Sequence, residues 1–494
     1  MSGNTLQEIV GHNYGKIKSL REQGIDPYPR RFQVTHAAAD ALKQPADTQV
    51  RCAGRVVLLR MMGKAAFAHI KDGTGKIQIY VKKDAVGEKD YETFKKFVGV
   101  GDFLGVEGKL FVTKTGELTV SVEKLTILSK SVRPLPEKWH GLTDPETRYR
   151  ERSLDLISND EVRQIFVNRA RIVSGVRQVL DGDGYLEVET PVLCAQAGGA
   201  SARPFVTFHN VYKNELYMRI ATELPLKKLI IGGFDGVYEI GRIFRNEGVD
   251  TSHNPEFTSL EAYKAYGDYN TMAELAEKIF ARCSELTGVT EVDYNGMRIN
   301  LKPPFRRVYL PEIWKEKTGH DIHEVLSGKS FNREALRALA REKGVGFSDD
   351  TPSAKIFDRM FETLVQADLE QPTFVMDHPT AITPLAKCKE GDESIVERFE
   401  LFVAKMELAN AYTELNDPED QKDRLLEQVR QRSEEKNAEA DVLDKDFIEA
   451  MEYGMPPTGG IGIGIDRLAM LFSGKSSIRE VILFPLLKPV DQPQ

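Results

Sequence analysis

The stretch Phe244-Arg245-Asn246-Glu247-Gly248 leads into His253-Asn254-Pro255-Glu256-Phe257, and Gly460-Ile461-Gly462-Ile463-Gly464-Ile465-Asp466-Arg467 follows near the end of the chain. These segments contain two arginines: Arg245 stands beside an Asn-Glu pair, and Arg467 follows a glycine ladder. A guanidinium group binds phosphate oxygens through paired hydrogen bonds and keeps its charge at physiological pH. The two arginines together therefore predict a site for a bound triphosphate.

The glycine ladder itself does not predict a known nucleotide loop. We do not expect a strand–helix–strand unit with a ribose-binding acid to follow it so near the end of the sequence. Gly328-Lys329-Ser330 and Gly474-Lys475-Ser476 both lack the earlier glycine of a P-loop. The ladder is better explained as a strand whose glycines permit close packing. Arg467 then lies at the start of a helix, near the positive end of its dipole.

The composition is that of an ordinary globular protein with two to four domains. The chain has 494 residues, of which 41% are hydrophobic and 29% charged. It has neither an apolar run of about 20 residues, as a membrane span needs, nor a signal-like apolar segment. The four cysteines show no C-x-x-C spacing. We therefore expect no disulfides, no zinc, no membrane partner and a cytoplasmic location.

Basic residues are concentrated in one part of an acidic chain. The formal net charge is −8, but residues 50–130 contain 15 Lys and Arg against 9 Asp and Glu. A basic module suits a polyanion bound at one place, and a chance distribution of surface charge explains the count equally well. The same segment predicts five short strands and one helix near 88–97. Lys76–Lys82 alternates strictly, and Asp72–Gly75 predicts a hairpin turn, so we predict an OB-type barrel.

Strand parity predicts a nucleic-acid surface on this barrel. If Ala66 and Ala68 face the core, Phe67 points outward, and Gln78 lies opposite to a buried Ile77. An aromatic ring on a polar sheet face can stack on an unpaired base, and an amide can bind the edge of that base. The alternative is a phenylalanine covered by a neighbouring loop.

Two carboxylates predict a metal site in the second half of the chain. A two-residue turn at Val403-Ala404 would set Glu400 opposite Glu407, where like charges repel unless a cation joins them. Mg²⁺ is the expected cation, although Val-Ala is poor turn chemistry. Taken singly, the other acidic and polar candidates are most simply exposed or satisfied core groups; these are Glu223, Glu261, Tyr263, Asn410 and Glu414.

The remaining patterns predict an α+β chain of several parts. We predict a helical N-terminal extension over 1–49, the barrel over 50–130, a proline-marked linker over 131–155 and a larger domain over 156–494. Charged, helix-prone insertions are expected at about 320–345 and 420–450. A helix opened by a Ser158-x-x-Glu161 capping box should carry a long apolar face. That face is either core or a subunit interface.

Together these segments resemble the class II aminoacyl-tRNA synthetases of subclass IIb, and within them the lysine-specific branch. The resemblance covers nearly the whole chain. The helix and strand that end at Pro191 are similar to motif 1, which builds the family's homodimer interface. Residues 244–261 resemble motif 2, residues 462–467 resemble motif 3, and the barrel resembles the anticodon-binding domain. The class I signatures are absent. The resemblance implies an antiparallel catalytic sheet flanked by helices.

The resemblance also implies a role for individual residues. Arg245 would bind the ATP α-phosphate and the substrate carboxylate, and Arg467 the γ-phosphate. The other implied ATP-binding residues are Glu247, His253, Asn254, Phe257 and Gly464. Those implied around lysine are Gly199, Glu223, Glu261, Tyr263, Asn410 and Glu414. Glu400 and Glu407 match Mg²⁺ ligands. The implied readers of a U-rich anticodon are Arg60, Phe67, Gln78 and Glu117.

One departure from the family concerns the residues that flank Glu223. Thr222 and Pro225 stand where many relatives have proline and tyrosine or histidine, which puts the local backbone in question but not Glu223 itself.

The implied activity joins L-lysine to tRNA(Lys) with ATP, through a lysyl-adenylate, in a homodimer. Aspartate- or asparagine-specific relatives share the barrel and the motifs, but their pockets would not use the carboxylate of Glu414. A regulatory paralogue without catalysis is disfavoured because so many charged site residues are retained. A lysine-transferring modifier of an elongation factor resembles only the catalytic half and lacks the barrel.

Overall fold

The computed structural model describes residues 3–136, 142–196, 198–199, 202–433 and 444–489. Parts of the predicted linker (137–141) and of the second predicted insertion (434–443) lie outside these ranges. The chain forms two compact units, Met1–Leu142 and Thr143–Gln494. No helix among the described residues is long and apolar enough to cross a bilayer.

The first unit is a closed five-stranded barrel with accompanying helices. Its strands close in the order β1-β2-β3-β5-β4, with β4 paired to β1. Ala66, Ala68 and Ile77 are at most 1% exposed, so the predicted barrel and its strand parity are confirmed. The elements are α1 (Gly3–Glu22), α2 (Ala38–Ala41), β1 (Gln49–Met62), β2 (Ala65–Lys71), β3 (Lys76–Lys82), α3 (Lys83–Val86), α4 (Glu88–Phe97), β4 (Phe103–Val112) and β5 (Leu118–Ser129).

The second unit begins with helices and short strands and continues into the central sheet. In its first half the elements are α5 (Pro145–Arg150), α6 (Arg152–Ser158), α7 (Asp160–Gly182), β6 (Leu186–Glu187), β7 (Leu193–Cys194), β8 (Val206–His209), β9 (Asn214–Met218), α8 (Glu223–Ile231), β10 (Gly236–Phe244), β11 (Glu256–Ala265), α9 (Tyr269–Thr287), β12 (Glu291–Tyr294), β13 (Met297–Asn300) and β14 (Arg306–Tyr309).

The second half of this unit completes the sheet and adds a small helical core around the buried Trp314 and Phe357. Its elements are α10 (Leu310–Thr318), β15 (Leu326–Ser327), β16 (Ser330–Phe331), α11 (Arg333–Glu342), α12 (Ser353–Leu364), β17 (Thr373–Pro379), β18 (Cys388–Lys389), β19 (Asp392–Val403), β20 (Met406–Thr413), α13 (Pro418–Ser433), α14 (Lys445–Glu452), β21 (Thr458–Gly464), α15 (Ile465–Phe472) and α16 (Ile478–Val481).

The central sheet has nine strands in the order β14-β17-β19-β20-β21-β11-β10-β6, with β18 added on β19. Its pairs are antiparallel except β14–β17 and β10–β6. One face packs against α7, α9 and α15, where Leu260, Ala409 and Ile461 are at most 2% exposed. The predicted antiparallel sheet flanked by helices is therefore confirmed. The opposite face carries polar side chains.

The capping box predicted at Ser158 is wrong. Ser158 is the last residue of α6, and α7 begins at Asp160 with Asn159 as its N-cap and no side-chain cap bond. The amide of Asn159 instead donates to Asp155 Oδ1 at 2.7 Å. Asp155 is buried and also paired with Arg152 at 2.6 Å, so this polar cluster takes the side chain that would otherwise cap the helix.

The turn predicted at Val403-Ala404 is also wrong. Val403 pairs with Met406, and Ala404 and Lys405 form the turn with φ of 52° and 66°. Two left-handed residues match the twist of a tight hairpin, although glycine and asparagine are the usual choices. Backbone bonds compensate here, since Ala404 N donates to Glu370 O at 2.7 Å and Lys405 N to Leu369 O at 2.8 Å.

Candidate active site

The strand β21, at the centre of the sheet, carries no side chains on one face between residues 460 and 464, and this bare face forms the floor of the site. Gly460, Gly462 and Gly464 alternate along β21 with Ile461 and Ile463, which are 1% exposed and belong to the core. Strand side chains alternate between the two faces of a sheet. The glycines therefore leave the polar face of this strand bare.

Two rows of polar side chains frame this floor. The strand register pairs Glu261 with Gly462, Gly462 with Asn410 and Asn410 with Glu400. Neighbouring strands lie about 4.8 Å apart, so residues far apart in sequence stand side by side. The next row along the strands consists of Tyr263, Gly460, Tyr412 and Arg398.

Arg245 and Arg467 lie near one another beside this floor. The guanidinium of Arg245 lies 5.2 Å from the ring centre of Phe257, and Arg467 Nη1 donates to the carbonyl oxygen of Glu407 at 2.6 Å. Burial lowers the pKa of Arg245, the positive charge of Arg467 lowers it further, and Glu247, among other acids, raises it. The two cations are thus close enough to repel one another, and an anion between them would relieve that repulsion.

A large cavity joins several of the predicted ATP-binding and metal-binding residues. It has a volume of about 2820 Å³, and its lining includes Glu247, His253, Glu400, Glu407 and Arg467. The stacked pair of Arg245 and Phe257 is not part of this lining. The buried Asn254 is held locally, because its amide donates to Glu256 O at 2.6 Å.

Glu400 and Glu407 lie close together although they are not register partners. Glu407 pairs with Phe402, and a register shift follows between Leu401 and Phe402. Burial and then the charge of Glu400 raise the pKa of Glu407. Among the described residues, no group of three or more His, Cys, Asp or Glu could hold a metal ion. Two carboxylates suit Mg²⁺ when phosphate oxygens and water supply its other ligands.

The predicted lysine-binding residues converge at the other end of the floor. Glu261 accepts bonds from Thr222 N and from Tyr263 Oη, both at 3.1 Å. Burial, and then the charge of Glu223, raise the pKa of Glu261 to about 7. Glu414 is 0% exposed. Acids that are buried together in this way favour a cationic ligand.

Glycines make room for these acids. A Cβ at Gly460 would lie 2.0 Å from Glu414 Oε1 and 2.6 Å from the ring of Tyr263. Gly199 has a φ of +83°, and a Cβ there would lie 3.4 Å from Glu223 Cβ. Both glycines are therefore needed for close packing around the pocket.

Two cationic side chains of the site were not predicted from the sequence. Arg398 Nε donates to Asn410 Oδ1 at 2.9 Å, and its guanidinium also pairs with Glu400. Lys227 Nζ lies 2.6 Å from Glu223 Oε1 and 2.5 Å from Glu414 Oε2. Arg398 shares a strand face with Glu400 two residues away, and Lys227 follows Glu223 by one helical turn. These two spacings were the available signals.

The predicted anticodon-binding residues share one face of the barrel. Arg60 pairs with Phe67 in the strand register, and the rings of Phe67 and Tyr80 lie 4.7 Å apart. Gln78 Nε2 donates to Glu117 Oε2 at 2.8 Å, while its Oε1 accepts from Thr119 at 2.8 Å. His69 lies 3.0 Å from Glu117 and adds to this network, which fixes the orientation of the Gln78 amide.

Residues 144–488 match the family model described as tRNA synthetases class II (D, K and N), and residues 50–128 match the model of an OB-fold nucleic acid binding domain. The chain belongs to this class II tRNA synthetase family. The predicted OB fold and the predicted aminoacyl-tRNA ligase class are thereby confirmed.

Similar proteins of known name narrow the amino acid specificity within this family. A protein named lysine–tRNA ligase from Enterococcus faecalis (strain ATCC 700802 / V583) is 50% identical over 484 residues, which is 96% of each chain. One from Bacillus anthracis has the same identity and coverage. One from Pelotomaculum thermopropionicum is 49% identical over 490 residues, 98% of this chain and 96% of its own. The predicted resemblance to the lysine-specific branch is therefore confirmed.

Proposed function

We propose that this protein is a lysine–tRNA ligase that forms lysyl-adenylate and pyrophosphate from L-lysine and ATP, and then transfers lysine to the 3′ end of tRNA(Lys), releasing AMP. One observation carries the proposal: two arginines lie close to one another beside a sheet face that also carries a buried group of carboxylates. The arginines suit a triphosphate, and the carboxylates suit a cationic amino acid.

The cleft would accelerate the first step through position and charge. The lysine carboxylate attacks the α-phosphorus of ATP, and pyrophosphate leaves with the electron pair of the broken bond. Arg245 would neutralise charge at the α-phosphate and at the carboxylate, and Arg467 at the γ-phosphate. Adenine would stack on Phe257. Glu247, His253, Asn254 and Gly464 would complete the ATP site.

Mg²⁺ fits the pair of carboxylates at Glu400 and Glu407. Burial and then the charge of Glu400 raise the pKa of Glu407, and a divalent cation would relieve the repulsion between the two carboxylates. Mg²⁺ commonly binds one or two carboxylates together with nucleotide phosphates, and it would supply charge neutralisation on the phosphate oxygens.

The pocket residues explain a choice of lysine. Glu223 would bind the α-ammonium and Asn410 the carboxylate, while Glu414 and Tyr263 would bind the ε-ammonium, with Glu261 and Gly199 in the wall. A hydrogen bond to a charged group contributes roughly 1.5–3 kcal/mol. A neutral side chain would forfeit this contribution and leave the buried Oε1 of Glu414 without a partner.

Two further interactions follow from the same proposal. The barrel face with Arg60, Phe67, Gln78 and Glu117 would bind the anticodon of tRNA(Lys). Apolar side chains left exposed on the hairpin of β8 and β9 would be covered in a homodimer; these are Val206, Phe208, Val211 and Tyr212. We place the reaction in the cytoplasm, where a tRNA ligase meets its substrates.

ATP–pyrophosphate exchange measured with each of the twenty amino acids tests this function. We expect clear exchange with lysine alone, and exchange reduced by about 10²–10³-fold or more in Arg245→Ala, because a phosphate-binding group has been lost. Arg242→Ala is the matched control, since Arg242 lies on β10, three residues before Arg245, and is exposed. Preference for another amino acid, or full activity of Arg245→Ala, would overturn the proposal.

A further inference from the structure

The pocket proposed for lysine already contains an ammonium group of the protein. Lys227 extends from α8, one turn after Glu223, and its Nζ lies between Glu223 Oε1 at 2.6 Å and Glu414 Oε2 at 2.5 Å. The side chain is 0% exposed. Three aromatic rings surround the ammonium, each with its centre 6.0 Å away; these belong to Tyr263, Tyr412 and Phe447.

This ammonium is a permanent part of the pocket. Leu224, Phe447 and Met451 form a buried cluster between α8 and α14, and Phe447 itself lies over the Lys227 ammonium. A substrate therefore could not displace the side chain without separating two packed helices. Burial lowers the pKa of Lys227, but Glu223 and Glu414 outweigh burial and raise it above its usual value. The side chain thus remains charged.

The two oxygens of Glu414 have different surroundings. Both are buried, but Oε2 forms an ion pair with Lys227 at 2.5 Å, whereas Oε1 has neither an ion-pair nor a hydrogen-bond partner among the described residues. Oε1 lies over Gly460, at the floor of the site and beside Tyr263. A buried carboxylate oxygen without a partner is costly unless a ligand supplies one. Lys227 can therefore hold one oxygen while the other accepts a ligand.

The charges of the pocket carboxylates indicate a role for the Lys227 ammonium group. The pocket contains three carboxylates, those of Glu223, Glu261 and Glu414, and Lys227 balances one of them. When all three carboxyls are ionised, two negative charges remain, and these match the two ammonium groups of lysine. The groups that face Glu414 are Lys227 and Glu223 from α8, Glu261 and Tyr263 from β11, and Tyr412 from β20. Burial, together with the charges of Glu223 and Glu261, raises the pKa of Glu414 to about 8, and the charge of Lys227 opposes that rise.

We propose that Lys227 is a specificity-determining positioning residue: it is a built-in counter-ion that opposes protonation of Glu414, holds one of its oxygens and directs the second toward the substrate. This inference rests on the proposed lysine-activating function. Without Lys227 the pKa of Glu414 rises further, so at neutral pH a smaller fraction of this carboxyl carries the charge that binds the ε-ammonium. Lysine binding then recovers only as the pH rises.

The variant Lys227→Met tests the inference, because methionine nearly fills the same space without the charge. We expect the KM for lysine in pyrophosphate exchange to rise about tenfold or more at pH 7, which corresponds to one pKa unit or more. The KM for ATP should stay within about twofold. The pH at which the lysine KM levels off should also move upward. Lys228→Met, the next residue on the same helix and half-buried, should behave as the parent.

Each other outcome has a defined meaning. A lysine KM that is unchanged or lower in Lys227→Met, with an unchanged pH profile, overturns the inference, since Lys227 would then compete with the substrate or be indifferent to it. Failure of the parent protein to exchange with lysine would instead overturn the proposed function. If Lys227→Met does not fold, Glu414→Gln added to it should restore folding by removing the unbalanced charge. No restoration would refute the counter-ion role.

Discussion

At the scale of single residues, the site depends on what β21 lacks. Glu414 Oε1 and the ring of Tyr263 fill the space that a side chain at Gly460 would need. Gly462 is different: a Cβ there would come no closer than 3.9 Å to Asn410 O, and Glu261 Cγ and Leu260 O would both lie at 4.0 Å. The first glycine therefore makes room for the protein, and the second leaves room for a ligand.

This difference predicts opposite effects of two alanine substitutions. Gly460→Ala should destabilise the protein, because overpacking a filled site typically costs about 1–3 kcal/mol. Gly462→Ala should leave the thermal unfolding temperature nearly unchanged but reduce exchange about tenfold or more, because its methyl group stands where substrates must align. Calorimetric unfolding and exchange kinetics measure both. Normal exchange kinetics in Gly462→Ala would show that the substrates do not lie on this floor.

The site residues that could be predicted from the sequence lie in local motifs, whereas Lys227, which was not predicted, depends on a contact distant in sequence. Arg245, Arg467 and the pocket acids stand in motifs whose spacing is local, so the resemblance assigned them a role each. Lys227 has one local partner, Glu223, but its second partner, Glu414, lies far away in the chain and is brought near by β20. No local pattern distinguishes such a lysine from one on a solvated helix face.

At the scale of elements, alternation was a reliable guide and turns were not. The parity of β2 and β3 was predicted correctly, because alternate residues of a half-buried strand must differ in polarity. The β19–β20 turn was misplaced by one residue, since Ala404 and Lys405 adopt left-handed conformations that their own chemistry disfavours. The carbonyls that hold them belong to Leu369 and Glu370, a contact that sequence does not reveal.

The anticodon-binding role proposed for the barrel can be tested separately from the activation of lysine. Phe67→Ala and Gln78→Ala should each lower the rate of tRNA charging, while lysine-dependent exchange in the absence of tRNA stays at the parental rate. Loss of base stacking on Phe67 should weaken tRNA binding by about 1–3 kcal/mol. Gln49→Ala is the matched control, because Gln49 is an exposed glutamine at the start of β1. Equal loss of charging and exchange would contradict an independent anticodon module.

At the scale of the whole molecule, the second unit leaves a hydrophobic surface exposed close to the cleft. Val211 and Tyr212 are 80% and 79% exposed, and Phe208 on the neighbouring strand is 54% exposed. Isolated apolar side chains are common on protein surfaces, but a continuous group suggests an interface. Sequence left open whether the apolar features near motif 1 were core or interface, because hydrophobicity alone does not specify what covers it.

In the proposed homodimer, a charge placed on this surface should therefore separate the two copies of the chain. The same change should also weaken catalysis. β8 begins shortly after Arg203, whose carbonyl accepts a bond from Asn246 N at 2.7 Å, next to Arg245. Phe208→Glu should shift the sedimentation equilibrium from dimer to monomer, and loss of support for this segment should lower exchange about tenfold or more. Tyr453→Glu, on a tyrosine that is 90% exposed elsewhere, should change neither property. A Phe208→Glu protein that remains dimeric would place the interface on another surface, and a monomer with full exchange would show that the cleft does not depend on its partner.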